Sequence, residues 1–470
     1  MAKGKMNIWR KFLCLAVVFC FTLLIACQST PGQEIIVNKS DGAVGKAIAA
    51  SPAPITAYDS PAYWTEVVQG YQNTTYEIDA TITVPNVDKF PVVEVVPSMF
   101  TREQLDGITN ALFPDCAISL HDPNLLTKAD IQGYINGCLD SIANVDKYHP
   151  EFSKEQREAY IAEYEESFAR WQEEYKTAPE EASETQVESI ADVIGSEKWV
   201  YDFELKNQTK KLGSITLNIT PKSEWDQRLT KLIVLFNETR KPSSTARIDI
   251  HNHAEVRRIA EQLVSQLPLS EYTFSCVYRD LNAHRDSSIA IFTKAYGGIQ
   301  TGYIREHFYT TESQDSFAMQ WDQEMIFVPV GPQGIGSFVW TSSSAEGNML
   351  NENVTLLPFS KIQELAMTSF SYVSLPWMGS EPPPIDYRAV VDEIKLSMMV
   401  VKMQDSADNY MAIPVWDFYG YWYERYESQE KSGRMLDENL EYKFDDYPGA
   451  TSLLTLSAID GSIVNRSAGY

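Results

Sequence analysis

Apolar and polar residues alternate along much of the chain, and where the alternation stops a helical period replaces it. YEIDATITV (76–84) and FPVVEVVP (90–97) are rich in β-branched residues and partly alternating, which predicts two strands. Thr101 and Gln104 then form a capping box that opens a helix toward Leu112. LLTKADIQGYINGCL reads as a second helix starting at Thr127 and Asp130, and Ser153 with Gln156 caps a third. In the third, Tyr160, Ile161, Tyr164, Phe168, Trp171 and Tyr175 share one stripe while Glu and Arg cover the remainder, so the stripe is expected to be core. Residues 178–190, APEEASETQVESI, read as a solvated connector and a domain boundary.

Beyond that connector the strand period prevails. KWVYDFEL, GSITLNIT and KLIVLFN are short, rich in β-formers and separated by polar turns. One helix over 254–267 would bury Val256, Ile259, Ala260, Leu263 and Leu267. Strands are expected at 271–279, 288–296, 324–330 and 336–342. Ser360 with Gln363 caps another helix, EPPP (381–384) breaks the chain, and strand-like segments follow near 393–403, 410–418 and 452–466. In the last of these, Leu454, Leu456 and Ala458 alternate with Leu453, Thr455, Ser457 and Ile459. Both sets are partly apolar, which predicts burial on one face and partly on the other, and Asp460-Gly461 suits a type I′ turn. The element order is α+β, with mostly antiparallel sheets, a helix-rich N-terminal region and helix-on-sheet modules, not alternating βαβ. A helix-rich α/β domain over 61–195 and an antiparallel α+β domain over 196–470 are expected.

The first residues follow neither period. Lys3, Lys5, Arg10 and Lys11 precede an apolar stretch from Phe12 to Ala26, about 15 residues against the roughly 20 that a membrane span needs. Leu24-Ile25-Ala26-Cys27 fits a bacterial lipobox, in which the small Ala26 admits the peptidase and the Cys27 sulfur carries diacylglycerol. An ordinary signal peptide containing Cys27, or an uncleaved anchor, are the alternatives. On the lipobox reading residues 1–27 are signal and anchor, and 28–60 are a flexible tether rich in Ser, Gly, Pro and Ala. Membrane lipid is then a partner through the acylated cysteine, and the body lies on the extracytoplasmic face of the cell membrane.

Composition narrows the classes further. At 44% hydrophobic and 12% aromatic residues the chain is globular, and a net charge of −25 opposes nucleic-acid binding while leaving basic peptides as a partner class. Of six cysteines, Cys14 and Cys20 leave with the signal and Cys27 is lipidated, so Cys116, Cys138 and Cys276 remain. A Cys116–Cys138 bridge would close a loop of about 23 residues, worth on the order of 3 kcal/mol, against the alternative of three buried thiols. Cys276 alternates with Phe274 and Tyr278 and reads as core.

Candidate chemistry is sparse. Asp249, His251, His253 and Glu255 would share a face on a continuous strand and could hold a metal, but Asn252 with Glu255 is itself a capping signal that puts His253 in a helical turn. The cluster therefore reads as a cap, with no metal. GPQGIG (331–336) is flanked by strands on both sides and reads as a hairpin turn, since a phosphate loop needs a following helix. In PVWDFYGYWYERY (414–426), Trp416, Phe418, Tyr419, Tyr421, Trp422, Tyr423 and Tyr426 could stack glycan rings. Strand alternation assigns half of them to core, and Gly420 suggests a turn exposing the rest. G-x-S-x-G and H-E-x-x-H are both missing, and Asp445-Asp446 reads as a turn. No catalytic residue and no cofactor is expected.

Six stretches in order, IDATITVP, LLTKADIQ, GPQGIGSFVW, NENVTLLPFSKI, IPVWDFYG and LLTLSAIDGSIV, resemble an uncharacterised family of Gram-positive bacterial lipoproteins, a domain of unknown function. The last two also resemble the closing strands of YycI-type regulatory proteins and related PepSY-like modules. That resemblance implies an extracytoplasmic contact with another protein or peptide and carries no catalytic residues. YycI-type proteins act partly through a transmembrane helix, where this chain has a lipid anchor. The resulting expectation is a lipid-anchored, extracytoplasmic binding or regulatory protein without catalytic activity. A wall-associated hydrolase and a solute- or glycan-binding lipoprotein are the alternatives.

Overall fold

The structure is a computed structural model that describes residues 43–464 apart from 56–57, 71–73, 122–125, 150–151, 181–183, 194–199, 208–209, 220–229, 241–246, 281–286, 304–322, 342–343, 373–385, 404–409, 426–440 and 445–450. Cys27 and the signal segment, tether residues 28–42, the EPPP break and Asp445-Asp446 lie outside the described residues. The fold is α+β and dominated by strands, mostly antiparallel. In chain order the elements begin with α1 (Ala43–Ala49), β1 (Tyr63–Gln69), β2 (Thr74–Thr83), β3 (Val92–Pro97), α2 (Arg102–Leu112), β4 (Ala117–His121), α3 (Lys128–Ala143), α4 (Val145–Tyr148) and α5 (Lys154–Thr177). They continue with β5 (Glu184–Val187), β6 (Val200–Asn207), β7 (Lys210–Ile219), β8 (Thr230–Arg240), α6 (His253–Val264), β9 (Tyr272–Asp280), β10 (Ser287–Tyr296), β11 (Ile299–Gln300), β12 (Met325–Gly331) and β13 (Gly334–Thr341). The last are β14 (Ser344–Asn351), α7 (Phe359–Phe370), β15 (Asp386–Lys402), β16 (Tyr410–Arg425), β17 (Glu441–Phe444) and β18 (Thr451–Ser457).

The chain forms two compact units. The first comprises Met1–Val92, Leu350–Ser397 and Ile413–Asn465, the second Val93–Met349, Met398–Ala412 and Arg466–Tyr470. This division differs from a boundary near residue 195. β4 pairs with β6 across that line, and the expected connector contributes β5, which pairs with β4. Main-chain hydrogen bonding to β4 outweighs the polar composition that suggested a linker.

In the first unit β1 pairs antiparallel with β2, β2 pairs parallel with β15, and β16 pairs antiparallel with β18. One face of these strands packs on α7. Phe359 meets Trp416 at 4.9 Å and Phe370 meets Phe418 at 5.7 Å, while Trp64 lies edge-on to Phe359 at 6.3 Å. This aromatic seam explains a correction. Ser360 does not cap α7; the helix starts two residues earlier than that cap would set, at Phe359 behind Pro358, because Phe359 is buried in the seam. On the other face Asp417, fully buried, accepts hydrogen bonds from Ser397 Oγ and Thr455 Oγ1 at 2.8 Å and from Tyr419 and Ser452 at 3.3 Å.

Part of the expected tether is docked. Residues 43–49 form α1, and Asn351 Nδ2 donates to the carbonyls of Ala47 (3.1 Å), Ile48 (3.3 Å) and Ala50 (3.1 Å). Asn353 Nδ2 holds the Ala53 carbonyl at 2.9 Å, and the Tyr58 hydroxyl donates to Leu357 O at 2.6 Å. The chain is thus fixed to the first unit from α1 onward, because its backbone polar groups find partners there.

The tail strand is buried on both faces, with Leu454, Leu456 and Ala458 on one and Thr455 and Ser457 on the other. It ends at Ser457, earlier than expected. The turn beyond it is not type I′, which requires positive φ at two residues; of the pair, Gly461 has positive φ, at 75°. Gly461 N instead donates to Ser457 O at 2.8 Å and Ser462 N to Asp460 Oδ1 at 3.1 Å, a longer turn closed by the aspartate side chain.

The second unit holds a ten-stranded sheet ordered β11-β10-β12-β13-β8-β7-β6-β4-β5, with β9 beside β10. Leu105, Ile108 and Leu112 of α2 and Val256, Ile259, Ala260 and Leu263 of α6 cover an interior that includes Phe203, Leu217, Val234, Phe338 and Trp340. Both capping boxes at Thr101 and Thr127 form, as does the one at Ser153. The α5 stripe is not core, however. No residue of α5 is fully buried; Tyr160, Tyr164, Trp171 and Tyr175 are half-buried. The helix packs chiefly along α3, where Trp171 stacks on Tyr134 at 4.7 Å. An aromatic stripe can line a two-helix seam as well as a sheet-covered core.

Candidate functional site

The sequence-predicted candidates land mostly in structural roles. Asn252 caps α6, its Oδ1 accepting from Glu255 N at 3.2 Å, and Asp249 Oδ1 accepts from His251 N at 3.0 Å. His253 is the first residue of the helix, and burial with His251 nearby pushes its imidazole below the usual histidine range. GPQGIG is the β12–β13 hairpin, with Gly331 opposite Gly334.

Trp416, Phe418 and Tyr419 are buried and present no stacking platform. Gly420 is not a turn, since β16 runs through it to Arg425; a side chain there would overlap the Val390 carbonyl oxygen, so the glycine permits a close backbone approach. Among the described residues no disulfide is formed, so Cys116 and Cys138 are not bridged. Cys138 lies on the buried stripe of α3, and Cys116 leans on the sheet core. Burial raises the Cys116 thiol, which disfavours the nucleophilic thiolate. Cys276 on β9 is half-buried rather than core.

A groove that no sequence motif marked lies between α6 and β9. Its volume is about 580 Å³, and it is lined by Arg257, Glu261, Val264 and Ser265 from α6 and its end, Leu267, Leu269 and Ser270 from the connection, and Tyr272, Thr273 and Phe274 from β9, with Phe292 behind. Consecutive strand residues point to opposite faces, so a cavity touching Tyr272, Thr273 and Phe274 opens on the edge of β9 and not on one face alone. Among the described residues β9 has one ladder partner, β10. Its register slips between Ile291 and Phe292 of β10, a bulge opposite Phe274 and Cys276. Gln300 Nε2 donates to the carbonyls of Thr273 and Phe274, both at 3.1 Å.

The charged residues of the lining neutralise each other. Arg257 Nε contacts Glu261 Oε1 at 2.9 Å, one helical turn apart, and the guanidinium lies 4.3 Å from the Phe274 ring. Phe274 in turn meets Phe292 edge-on at 6.0 Å.

Tyr272 ties the groove to a buried polar network. Its hydroxyl donates to Glu324 and accepts from Trp340 Nε1 at 2.9 Å. Glu324 is 7% exposed, and it also accepts from the Tyr296 hydroxyl at 2.8 Å and from Ser344 Oγ, with Lys294 Nζ 3.7 Å away. Lys294 Nζ itself donates to Ser344 O at 2.7 Å. Burial foremost, then the Glu324 charge, pushes both tyrosine hydroxyls well above their ordinary value, so they remain donors. The carboxylate is occupied by three hydroxyls and a lysine, and the network clamps β9, β10, β13 and β14 together. The residues come from positions 272 to 344, a separation at which sequence spacing carries no signal. The β9 alternation and the Asn252 cap were the two local clues.

No protein-family model matches the chain, and no curated protein matches it. One solved structure, described as the crystal structure of an uncharacterized protein from Eubacterium rectale ATCC 33656 at 1.45 Å resolution, is similar over 91% of this chain and 99% of its own, with 11% identity and a TM-score of 0.40. Among the described residues, no helix is long and apolar enough to cross a membrane.

Proposed function

We propose that the protein is a lipid-anchored, extracytoplasmic binding or regulatory protein that engages its partner at the α6–β9 groove without chemistry. The observation that carries the reading is the groove's makeup. It joins apolar walls to an internally neutralised Arg257–Glu261 pair, and the hydroxyl of Tyr272 is already committed to Glu324 and Trp340. A binding site needs shape and a few placed polar groups, whereas a hydrolase needs a free base or nucleophile converging on the substrate. The anchor part rests on the lipobox ending at Cys27.

The experiment is in-cell photo-crosslinking from position 273, where Thr273 is exposed in the groove, compared with position 148 on α4, where Tyr148 is exposed. A discrete adduct from 273 alone, lost when Cys27→Ser releases the protein from the membrane, is the expected result. Equal adducts from both positions, or measurable cleavage of purified wall fragments by the protein, would overturn the reading.

A further inference from the structure

We infer that β1, an edge strand of the first unit, pairs antiparallel with β1 of a second copy of this chain about a two-fold axis at Thr65. The surface stands apart from the groove and shares with the functional reading only the anchor at Cys27. Among the described residues β1 has one ladder partner, β2, and it ends the strand order of its sheet. Ile82 N donates to Ala62 O at 3.0 Å and Gly70 N to Thr74 O at 2.7 Å, so the even-numbered residues turn their main-chain groups toward β2. Those of Tyr63, Thr65, Val67 and Gln69 therefore face outward. Among the described residues, the protein contact these groups make is from Val67 N to Oε1 of the adjacent Glu66, at 3.3 Å, on an exposed side chain that a partner strand can displace.

The edge is also open. All four side chains are exposed, with Tyr63 at 48% and Val67 at 59%. Exposed edges are commonly blunted by lysine, proline or a bulge. YWTEVVQ contains neither lysine nor proline, and its register with β2 is unbroken.

Self-complementarity selects the occupant. A two-fold contact needs each residue pair to recur with the copies exchanged. About Thr65, Tyr63 meets the partner's Val67 and Val67 meets the partner's Tyr63, so the exposed apolar side chains cover each other while the two threonines meet on the axis. Every residue in these pairs has outward main-chain groups, and each pair exchanges two hydrogen bonds. An axis at Glu66 would set two carboxylates face to face, and one at Val67 would carry Tyr63 past the end of the facing strand.

A strand of 7 residues buries about 250 Å² per copy, against about 800 Å² in a stable complex. Dissolved copies therefore pair weakly. Copies held in one membrane through Cys27 gain an effective concentration like that of a short linker, roughly millimolar, which compensates for so small a contact.

The test is oxidation with copper–phenanthroline of the full chain in the membranes of cells that make it. Thr65→Cys should give a disulfide dimer, since directly opposed residues of such a pair lie about 5.5 Å apart at Cα, within disulfide reach. Thr81→Cys, equally exposed on β2 and carrying the same native cysteines, should give about tenfold less. Tyr63→Cys and Val67→Cys chains should crosslink when made together and neither when made alone, a pattern that requires no disruptive variant to fold. Val67→Pro removes an outward N–H and leaves the β2 ladder intact, so adding it to Thr65→Cys should cut the dimer about tenfold with the thermal midpoint little changed. Equal dimer from positions 65 and 81, or a dimer from Val67→Cys alone, would overturn the inference. Lipid labelling of the same samples reports the anchor separately, so a lipid-labelled Thr65→Cys protein without dimer would overturn the pairing and leave the anchor reading intact.

Discussion

Replacing Glu324 with Gln should destabilise the second unit by about 2 kcal/mol. The carboxylate accepts from Tyr272 on one oxygen and from Tyr296 and Ser344 on the other. An amide keeps one acceptor oxygen and turns the other into a donor, so at least one buried hydroxyl loses its partner whichever way the amide lies. An orphaned buried donor costs roughly 1–3 kcal/mol, and the surviving bonds lose their charge assistance. Relief of the buried charge offsets part of this, since isolated buried ion pairs are often no better than neutral replacements. Here the offset is small, because three neutral hydroxyls and Lys294 remain behind with nothing new to bind. Urea unfolding followed by circular dichroism measures the loss, provided the slope with denaturant stays unchanged. Tyr272→Phe alone should cost about 1 kcal/mol, and the double variant should show coupling of roughly 1 kcal/mol or more. A Gln variant within about 0.5 kcal/mol of wild type, or additive single effects, would refute the network's role in holding β9.

Other consequences are equally direct. Folded Tyr272 and Tyr296 hold their protons well above 10, whereas in the unfolded chain they ionise near 10. Above that pH the unfolded state binds fewer protons, so stability falls as pH rises past 10; Tyr296→Phe should flatten that slope, and an unchanged slope contradicts the assignment. Gly420→Ala should cost about 3 kcal/mol through overlap with the Val390 carbonyl, read as a lower thermal midpoint, and a neutral effect would show that β15 can yield. Asn353→Ala removes the clamp on Ala53 and orphans the buried Phe90 N–H, which binds Asn353 Oδ1 at 2.9 Å. A loss of roughly 1–3 kcal/mol with faster amide exchange at Ala53 is expected, and unchanged exchange would place the strap's hold elsewhere. Asn252→Ala should cost about 1 kcal/mol as a lost cap, with no stoichiometric zinc on the purified protein before or after the change.

What the sequence made legible was local. The caps at Thr101, Thr127 and Ser153 satisfy orphan helix donors within three residues, so their signal survives any tertiary arrangement. Ser360 misled because the burial of Phe359 set the start of α7, a tertiary demand stronger than a cap of about 1 kcal/mol. The strand β14, SAEGNMLN, has few β-formers and was invisible to propensity. The site was the least legible part. The Arg257–Glu261 pair is one turn of helix, but the edge of β9 and its tie to Glu324 join residues up to 52 positions apart, and no periodicity encodes which strand of a sheet lies at the edge.

Hydrogen–deuterium exchange across the intact protein, free and joined to the partner crosslinked at position 273, tests the central claim most directly. The account predicts slowed exchange along Tyr272–Cys276 and in the adjoining turn of α6 around Glu261, with the strands β6, β7 and β8 unchanged. Protection confined to another surface, with β9 exchanging as in the free protein, would contradict it.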